Sequence, residues 1–325
     1  MASEHQPDIS YVIPLYNESE SLPELIDQIK DALTKSNLAT LFGRKPQIEI
    51  LLINDGSSDG SDKVAKQLIQ KNPEIKLISF RRNYGKSAAL DAGFKEAKGR
   101  YVITMDADLQ DSPYETEPLI RKVEEGFDLV SGWKQKRFDP LSKTIPSKLF
   151  NFVTSRLAGI PIHDFNCGLK IYRNDVVKSV HVYGEMHRYI PVLAKWNGFT
   201  VSELVVEHRA RKYGSTKFGI SRFFYGFLDL LTVLFITKYM KRPMHFFGVF
   251  GIICTFSGSA LGLYLTIEKL FYDAYLSNRP MLFLSVLLII LGVQLFMGGL
   301  LGEMITKSYH RVESYLIKER INFEN

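Results

Sequence analysis

Tyr101-Val102-Ile103-Thr104-Met105-Asp106-Ala107-Asp108-Leu109-Gln110 joins an apolar run to two carboxylates one residue apart. The run reads as a buried strand, and the acids that follow stand at its exposed C-terminal end. A pair of carboxylates so placed can hold a divalent cation beside a diphosphate, which is the chemistry of a nucleotide-sugar site. An isolated D-x-D fits a turn at least as well, because Asp is common after strands. The surroundings have to decide.

Outward from this stretch, short β-rich runs alternate with helical patterns over residues 9–207. Strands are expected over residues 9–13, 48–53, 76–80, 101–105, 128–131 and near 201–206. Between the early ones, residues 22–33 and 63–69 repeat apolar side chains at three- and four-residue intervals, as amphipathic helices do. This alternation predicts an α/β domain with a mainly parallel sheet covered on both faces. Such sheets bind ligands beyond the C-terminal ends of their strands. Three polar clusters fall there: Pro14-Leu15-Tyr16-Asn17-Glu18, Asn54-Asp55-Gly56-Ser57-Ser58-Asp59-Gly60, and the D-x-D itself. Their common placement favours a site over a turn.

With 325 residues, 46% of them hydrophobic and 23% charged, the chain can bury a large core, exceeds one compact unit and is not disordered. The net charge of +6 admits a nucleic acid, an anionic membrane surface or a phosphorylated substrate. The basic residues cluster beside apolar segments and no recognition motif accompanies them, so nucleic acid is not expected as a partner. Cys167 and Cys254 are the two cysteines, and the second lies in an apolar segment. Neither a disulfide framework nor a Cys-rich metal site follows. The start, Met-Ala-Ser-Glu-His-Gln-Pro-Asp, lacks a basic region followed by an apolar run, so no secretory signal is expected and the soluble part belongs in the cytosol.

Beyond Arg242 the solvent changes. Residues 245–266 and 281–302 contain no Asp, Glu, Lys or Arg, and each can cross roughly 30 Å of hydrocarbon. A buried globular helix can be as apolar, but two such runs joined by the polar residues 268–280 predict a two-helix transmembrane hairpin. Lys238, Lys241 and Arg242 precede the first span, and Lys307, Arg311, Lys318 and Arg320 follow the second. By the positive-inside rule both termini face the cytosol, which predicts an integral protein of a bacterial inner or plasma membrane with two spans. Residues 220–240 are rich in aromatic and aliphatic side chains but carry Arg222 and Asp229, so they read as an amphipathic helix on the membrane surface. Residues 144–157 fit a second interfacial helix or an ordinary core helix. Gly258-x-x-x-Gly262 permits close helix packing, which leaves a homo-oligomer open.

Five motifs carry a resemblance: VIPLYNE at 12–18, INDGSSDGS at 53–61, RNYGKSAAL at 82–90, DADLQD at 106–111 and RKYGSTKFG at 211–219, followed by the two spans. In that order the chain resembles the family 2 polyprenyl-phosphate glycosyltransferases, which include dolichol-phosphate mannose synthases and bacterial undecaprenyl-phosphate sugar transferases. The resemblance covers essentially the whole chain. It implies a GT-A-like, Rossmann-like catalytic domain over residues 1–218, an interfacial helix at 219–242, the hairpin within 243–305 and a cytosolic tail at 306–325. It further implies that Pro14, Tyr16, Glu18 and Asp55 hold the base and ribose of a nucleotide-sugar donor, UDP- or GDP-linked. Carboxylates accept from ring N–H and sugar hydroxyls, and an aromatic ring offers a stacking face. Asp106, Asp108 and Gln110 would meet the diphosphate through Mg²⁺ or Mn²⁺, with Asp108 the foremost ligand and Asp106 also available to the ribose or nucleotide. Gly85-Lys86-Ser87 mimics the end of a P-loop, but the required earlier glycine is Phe80, so Lys86 reads as a local or donor-side contact.

The resemblance places the acceptor, an undecaprenyl or dolichyl phosphate, against basic residues at the membrane surface. The matching positions are Lys134, Lys143 and Ser147. Arginine is familiar at the first two, and lysine substitutes a point charge for a bidentate fork. Solvated surface lysines are the plain alternative there. Arg211, Lys212 and Lys217 fit better, and could clamp donor phosphate, lipid phosphate or both; Thr216 keeps a hydroxyl where serine is usual. The implied reaction inverts the anomeric carbon through an oxocarbenium-like state, giving a β-linked lipid from an α-linked donor. A general base is often assigned near the strand carrying Asp164-Phe165-Asn166-Cys167-Gly168-Leu169-Lys170, which makes Asp164 the available carboxylate. A phosphate monoester has its second pKa near about 6, so the acceptor oxygen is already largely ionised and needs little help. Asp164 therefore reads as a base, a sugar-orienting group or a simple loop carboxylate. A processive polysaccharide synthase would need more spans and a Q-x-x-R-W motif, which is missing here; a non-catalytic scaffold would have no need of leaving-group activation.

Overall fold

The computed structural model describes residues 6–135, 151, 152, 154–156, 159–184, 186–209, 212, 243–272 and 279–309. Lys143, Ser147, Arg211 and Lys217 lie outside the described residues, as do residues 219–242, most of 144–157 and the tail beyond 309. Two compact units are present, Met1–Leu231 and Thr232–Asn325.

In the first unit, seven strands form one sheet: β1 (Ile9–Leu15), β2 (Ile48–Asn54), β3 (Ile75–Ser79), β4 (Tyr101–Thr104), β5 (Leu129–Trp133), β6 (Lys170–Arg173) and β7 (Val201–Val205), in the order β3-β2-β1-β4-β6-β5-β7. The helices are α1 (Leu22–Lys35), α2 (Leu38–Phe42), α3 (Ser61–Lys71), α4 (Lys86–Glu96), α5 (Thr116–Glu124), α6 (Asn174–Ser179) and α7 (Ile190–Trp196). β1 pairs in parallel with β2 and β4, β2 with β3, and β5 with β7. The central strands are mostly apolar and almost wholly buried because both their faces are covered. On one face, Ile9, Tyr11 and Ile13 join Leu22, Leu25, Ile26 and Ile29 of α1 in the core. On the other, α4 lies so close that a Cβ on Gly93 would come within 2.3 Å of Val12 Cγ1. The α1 residues recur at i, i+3, i+4 and i+7, one stripe of a helix.

The mainly parallel sheet stands, with one strand the expected set omitted. β6 runs antiparallel to β4 and β5, with Lys170 paired to Thr104 and to Ser131. It is four residues long and begins and ends in a basic side chain, so neither length nor alternation marks it. Its direction has a functional result: the chain enters β6 at the edge where β4 and β5 end. Residues 164–169 are thereby delivered to the D-x-D loop.

The second unit contains α8 (Pro243–Tyr272) and α9 (Pro280–Tyr309), both long and apolar enough to cross a membrane. Most of their side chains are unburied, Phe256, Phe271 and Phe283 among the most exposed. The helices pack on each other through small residues. A Cβ on Gly258 would meet Ser285 O at 2.8 Å, and one on Gly262 would meet Ser285 Oγ at 2.9 Å, while Ser285 Oγ donates to Gly258 O at 2.8 Å. The glycines of the G-x-x-x-G are thus used within the hairpin. Arg279 and Glu268 form an ion pair across its polar end.

Candidate functional site

The C-terminal ends of β1, β2 and β4 carry the three polar clusters, and backbone bonds tie the first two together. Asn17, held at φ 56°, donates its N–H to Ser57 Oγ at 2.9 Å, and its Oδ1 accepts from Ser58 N at 2.8 Å. Glu18 N donates to Ser61 Oγ and Ser19 N to Asp59 Oδ2, each at 3.0 Å. Burial opposes the charged form of Asp59, but hydrogen bonds from Ser61 and Ser19 prevail and hold its carboxyl down to about 2. Pro14 stands inside β1 opposite Ile53, Tyr16 follows the strand and is 38% exposed, and Glu18 accepts from Ser21 Oγ at 3.1 Å.

Asp55, at the end of β2, is buried and accepts two backbone bonds, from Tyr84 N at 2.6 Å and Gly85 N at 2.9 Å. It thus pins the start of α4. The contact requires Gly56, which has φ +71° and whose Cβ would sit 2.4 Å from the Arg82 carbonyl carbon. No side chain fits there.

The D-x-D loop is built by four interlocking features. Leu109 adopts φ 63°, a left-handed turn, and Gln110 N donates to Asp108 Oδ1 at 3.1 Å. Asp106 N donates to Asp111 Oδ2 at 3.2 Å, so Asp111, fully buried, stabilises the loop from behind. Lys134, at the end of β5, reaches Asp111 Oδ1 at 2.6 Å. Finally Gly168 packs against both acids, since its Cβ would lie 2.6 Å from Asp106 Oδ2 and 2.9 Å from Asp111 Oδ2. The segment after β7 closes this edge: Asp111 bridges to His208, and Arg209 N donates to Gln110 O at 3.1 Å. His208 and Arg209 thus stand beside the D-x-D loop.

Three lysines set the electrostatics. Lys86, the first residue of α4, pairs with Asp106 Oδ1, and both side chains are about one-third exposed, 30% and 34%. Burial disfavours the charged carboxylate of Asp106, but Lys86, Lys134 and Lys170 hold its pKa below the usual range. Burial disfavours the Lys134 ammonium too, yet the charge of Asp111 outweighs it and raises the pKa. Lys170 is buried among the carbonyls of Phe165 and Cys167, and desolvation lowers its pKa. Cys167 is pushed up to about 12 by burial and is no nucleophile. Asp164 is buried before β6, with Oδ1 accepting from Asn166 N at 3.1 Å.

The structure therefore brings Asp55, Asp106, Asp108, Gln110, Lys134 and Asp164 to one edge, with Pro14, Tyr16 and Glu18 on the adjoining strand end. Three contributors had no assigned role from sequence: Asp111, Gly168 and Lys170. A third Asp within DADLQD and a lysine heading a short apolar run were the visible signals. Among the described residues no group of three or more His, Cys, Asp or Glu side chains could hold a metal ion alone. The all-oxygen set of Asp106, Asp108 and Gln110 suits a hard divalent cation that completes its shell with water and diphosphate oxygens, and the glycine at 168 leaves the Asp106 carboxylate room.

The sequence model described as Glycosyl transferase family 2 matches residues 10–180. A dodecaprenyl-phosphate galacturonate synthase of Rhizobium johnstonii is 34% identical over 320 residues, covering 96% of this chain and 92% of the relative. An undecaprenyl-phosphate 4-deoxy-4-formamido-L-arabinose transferase of Klebsiella pneumoniae is 34% identical over 308 residues, covering 94% and 90%. Among solved structures, glucosyl-3-phosphoglycerate synthase from Mycobacterium tuberculosis in complex with Mn²⁺ and uridine-diphosphate-glucose superposes with TM-score 0.52 at 16% identity, covering 71% of this chain and 79% of that one. At that identity the likeness concerns the fold alone.

Proposed function

Because the chain belongs to glycosyl transferase family 2, we propose that it moves a single sugar from a nucleoside diphosphate sugar to a polyprenyl phosphate. One observation carries this reading: the match to lipid-phosphate sugar transferases runs through both the carboxylate edge of the sheet and the two apolar helices, 96% of the chain for the Rhizobium relative. A soluble sugar acceptor would give no reason for the second unit.

In this reading Pro14, Tyr16, Glu18 and Asp55 receive the nucleoside, and Asp106, Asp108 and Gln110 receive the diphosphate with Mg²⁺ or Mn²⁺. The cation, when bound, offsets charge on the departing nucleoside diphosphate. The residues of the chain do the positioning. Asp111 and Gly168 hold Asp106 at the edge, and the αL turn at Leu109 presents Asp108. Arg211, Lys217, Lys143 and Ser147 remain proposed phosphate contacts; Lys134 joins them only by sharing its ammonium with Asp111. The burial of Asp164 and its bond to Asn166 N support an orienting role over proton removal, in keeping with an acceptor already ionised. Transfer is proposed to invert the anomeric carbon and to occur at the cytosolic face, with residues 1–218 catalytic, 219–242 interfacial and 243–305 the membrane hairpin; the positive flanks of the two spans support that orientation.

Membrane vesicles containing the protein, supplied with radiolabelled nucleotide sugars, Mn²⁺ or Mg²⁺ and undecaprenyl phosphate, are expected to form a labelled lipid. Failure with every common donor overturns the reading.

A further inference from the structure

Lys86 occupies the oxygen that a metal would need. Its ammonium sits on Oδ1 of Asp106, while Oδ2 of the same carboxylate is packed toward Gly168. A divalent ion taking Asp106 as ligand therefore meets a resident cation, and the two repel at short range. Lys86 cannot retreat far by its backbone. It is the first residue of α4, and the two residues before it are bonded through their N–H groups to Asp55. Its side chain can move, because the Lys86 stem and the Asp106 carboxylate both border open solvent. The pinned backbone keeps the ammonium beside Asp106.

We propose that Lys86 is a placeholder cation, neutralising Asp106 until a divalent ion binds and surrendering it to that ion as its ammonium passes to the diphosphate of the donor. The inference rests on the nucleotide-sugar reading above. It assigns Lys86 a positioning role in loading the site, distinct from simple attraction of an anion. Metal alone has to break the Lys86–Asp106 pair. With a nucleoside diphosphate present, the pair is already exchanged for an ammonium–phosphate contact. Metal and nucleotide therefore help each other, by the same factor in both directions. One charge-assisted bond exchanged in this way accounts for about a tenfold coupling.

The test uses the full chain in detergent and follows Mn²⁺ binding by electron paramagnetic resonance, without nucleotide and with UDP, GDP, CDP or dTDP. In wild type, Mn²⁺ alone is expected to bind weakly and about tenfold more tightly once the cognate nucleotide is present, beyond the Mn²⁺ that nucleotide takes up in solution. Lys86→Met is expected to bind Mn²⁺ alone more tightly than wild type and to lose part of the coupling, the remainder coming from direct ligation by the diphosphate, with its thermal midpoint unchanged. Lys86→Arg is expected to restore weak binding of Mn²⁺ alone. If Lys86→Met binds Mn²⁺ alone no better than wild type, the placeholder role is overturned. It is overturned equally if both affinities shift while the coupling stays the same, because that is the signature of a generic change in charge. If none of the four nucleotides binds wild type, the nucleotide-sugar reading fails, and the Mn²⁺-alone comparison still decides whether Lys86 guards Asp106.

Discussion

At the N-terminal edge of the sheet, Glu49 is enclosed: Oε1 accepts from Ser10 Oγ at 2.6 Å and Lys98 N at 2.7 Å, Oε2 from Lys76 Nζ at 2.7 Å, and Ser10 Oγ in turn accepts from Gly99 N at 2.7 Å. At the C-terminal edge, Asp106 also has a lysine partner, but 34% of its side chain stays exposed against 4% for Glu49. Both carboxylates resist burial and are still held below their usual range by the surrounding donors. Electrostatics thus does not tell the two apart. What separates them is whether the acceptor lone pairs are all taken from within the fold. Glu49 is a completed knot, whereas Asp106 shows an open side to solvent and a side chain able to leave.

That contrast can be broken from either edge. The largest effect is expected from Asp108→Ala, which should lower metal-dependent sugar transfer by about 10³-fold while leaving the thermal midpoint and membrane insertion unchanged, checked by labelled-lipid formation and by calorimetry. Asp111→Asn removes a buried counter-charge from Lys134 and should cost transfer about 10- to 100-fold, as loss of a supporting contact does. It should also destabilise the fold, and a double-mutant cycle with Lys134→Met should show the two losses to be strongly non-additive. Glu49→Ala should do the reverse of Asp108→Ala. It strands Ser10 Oγ and the N–H of Lys98, costs about 2 kcal/mol in urea unfolding, and leaves the turnover of the folded protein unaltered.

The pH dependence of that term has a definite sign. The folded pKa of Glu49 lies below its ordinary value of 4.5, so its contribution is complete above that value and is lost as the pH falls through it toward the folded pKa. Wild type should therefore lose stability relative to Glu49→Ala on acidification below 4.5. The smallest effect concerns Cys167, buried with a pKa of about 12: iodoacetamide at pH 8 should leave it unmodified in the folded protein, as read by mass spectrometry.

Much of the sheet could be read directly from the chain because its central strands are buried on both faces and appear as short, mainly apolar runs, Ile9–Leu15 and Tyr101–Thr104 above all. The apolar helices are as plain, for want of charge. β6 escaped because four residues flanked by Lys and Arg obtain their strand character from β4 and β5 on either side, a tertiary cause with no local trace. The site divides similarly. Asp55, Asp106 and Asp108 stand at strand ends, which sequence pattern locates. Lys134 read as a phosphate contact because its partner Asp111 lies on another strand end, and only the fold brings the pair to 2.6 Å. Lys86 read as a local or donor-side contact, but its partner Asp106 was not visible.

The reversal of β6 also bears on how such a chain can diversify. β5 ends and β6 begins side by side at the C-terminal edge of β4, with Ser131 opposite Lys170, so the segment that joins them starts and finishes at neighbouring points. Lengthening that segment between Lys134 and Gly168 leaves every strand pairing intact, and each doubling of its length costs only about 0.6 kcal/mol of closure entropy. The residues proposed to receive the nucleoside and diphosphate lie in or just after β1, β2 and β4, on the other side of this seam. On the proposed reading, new acceptor preferences can therefore be grafted between β5 and β6 while the donor half is inherited, provided Gly168 is kept beside Asp106.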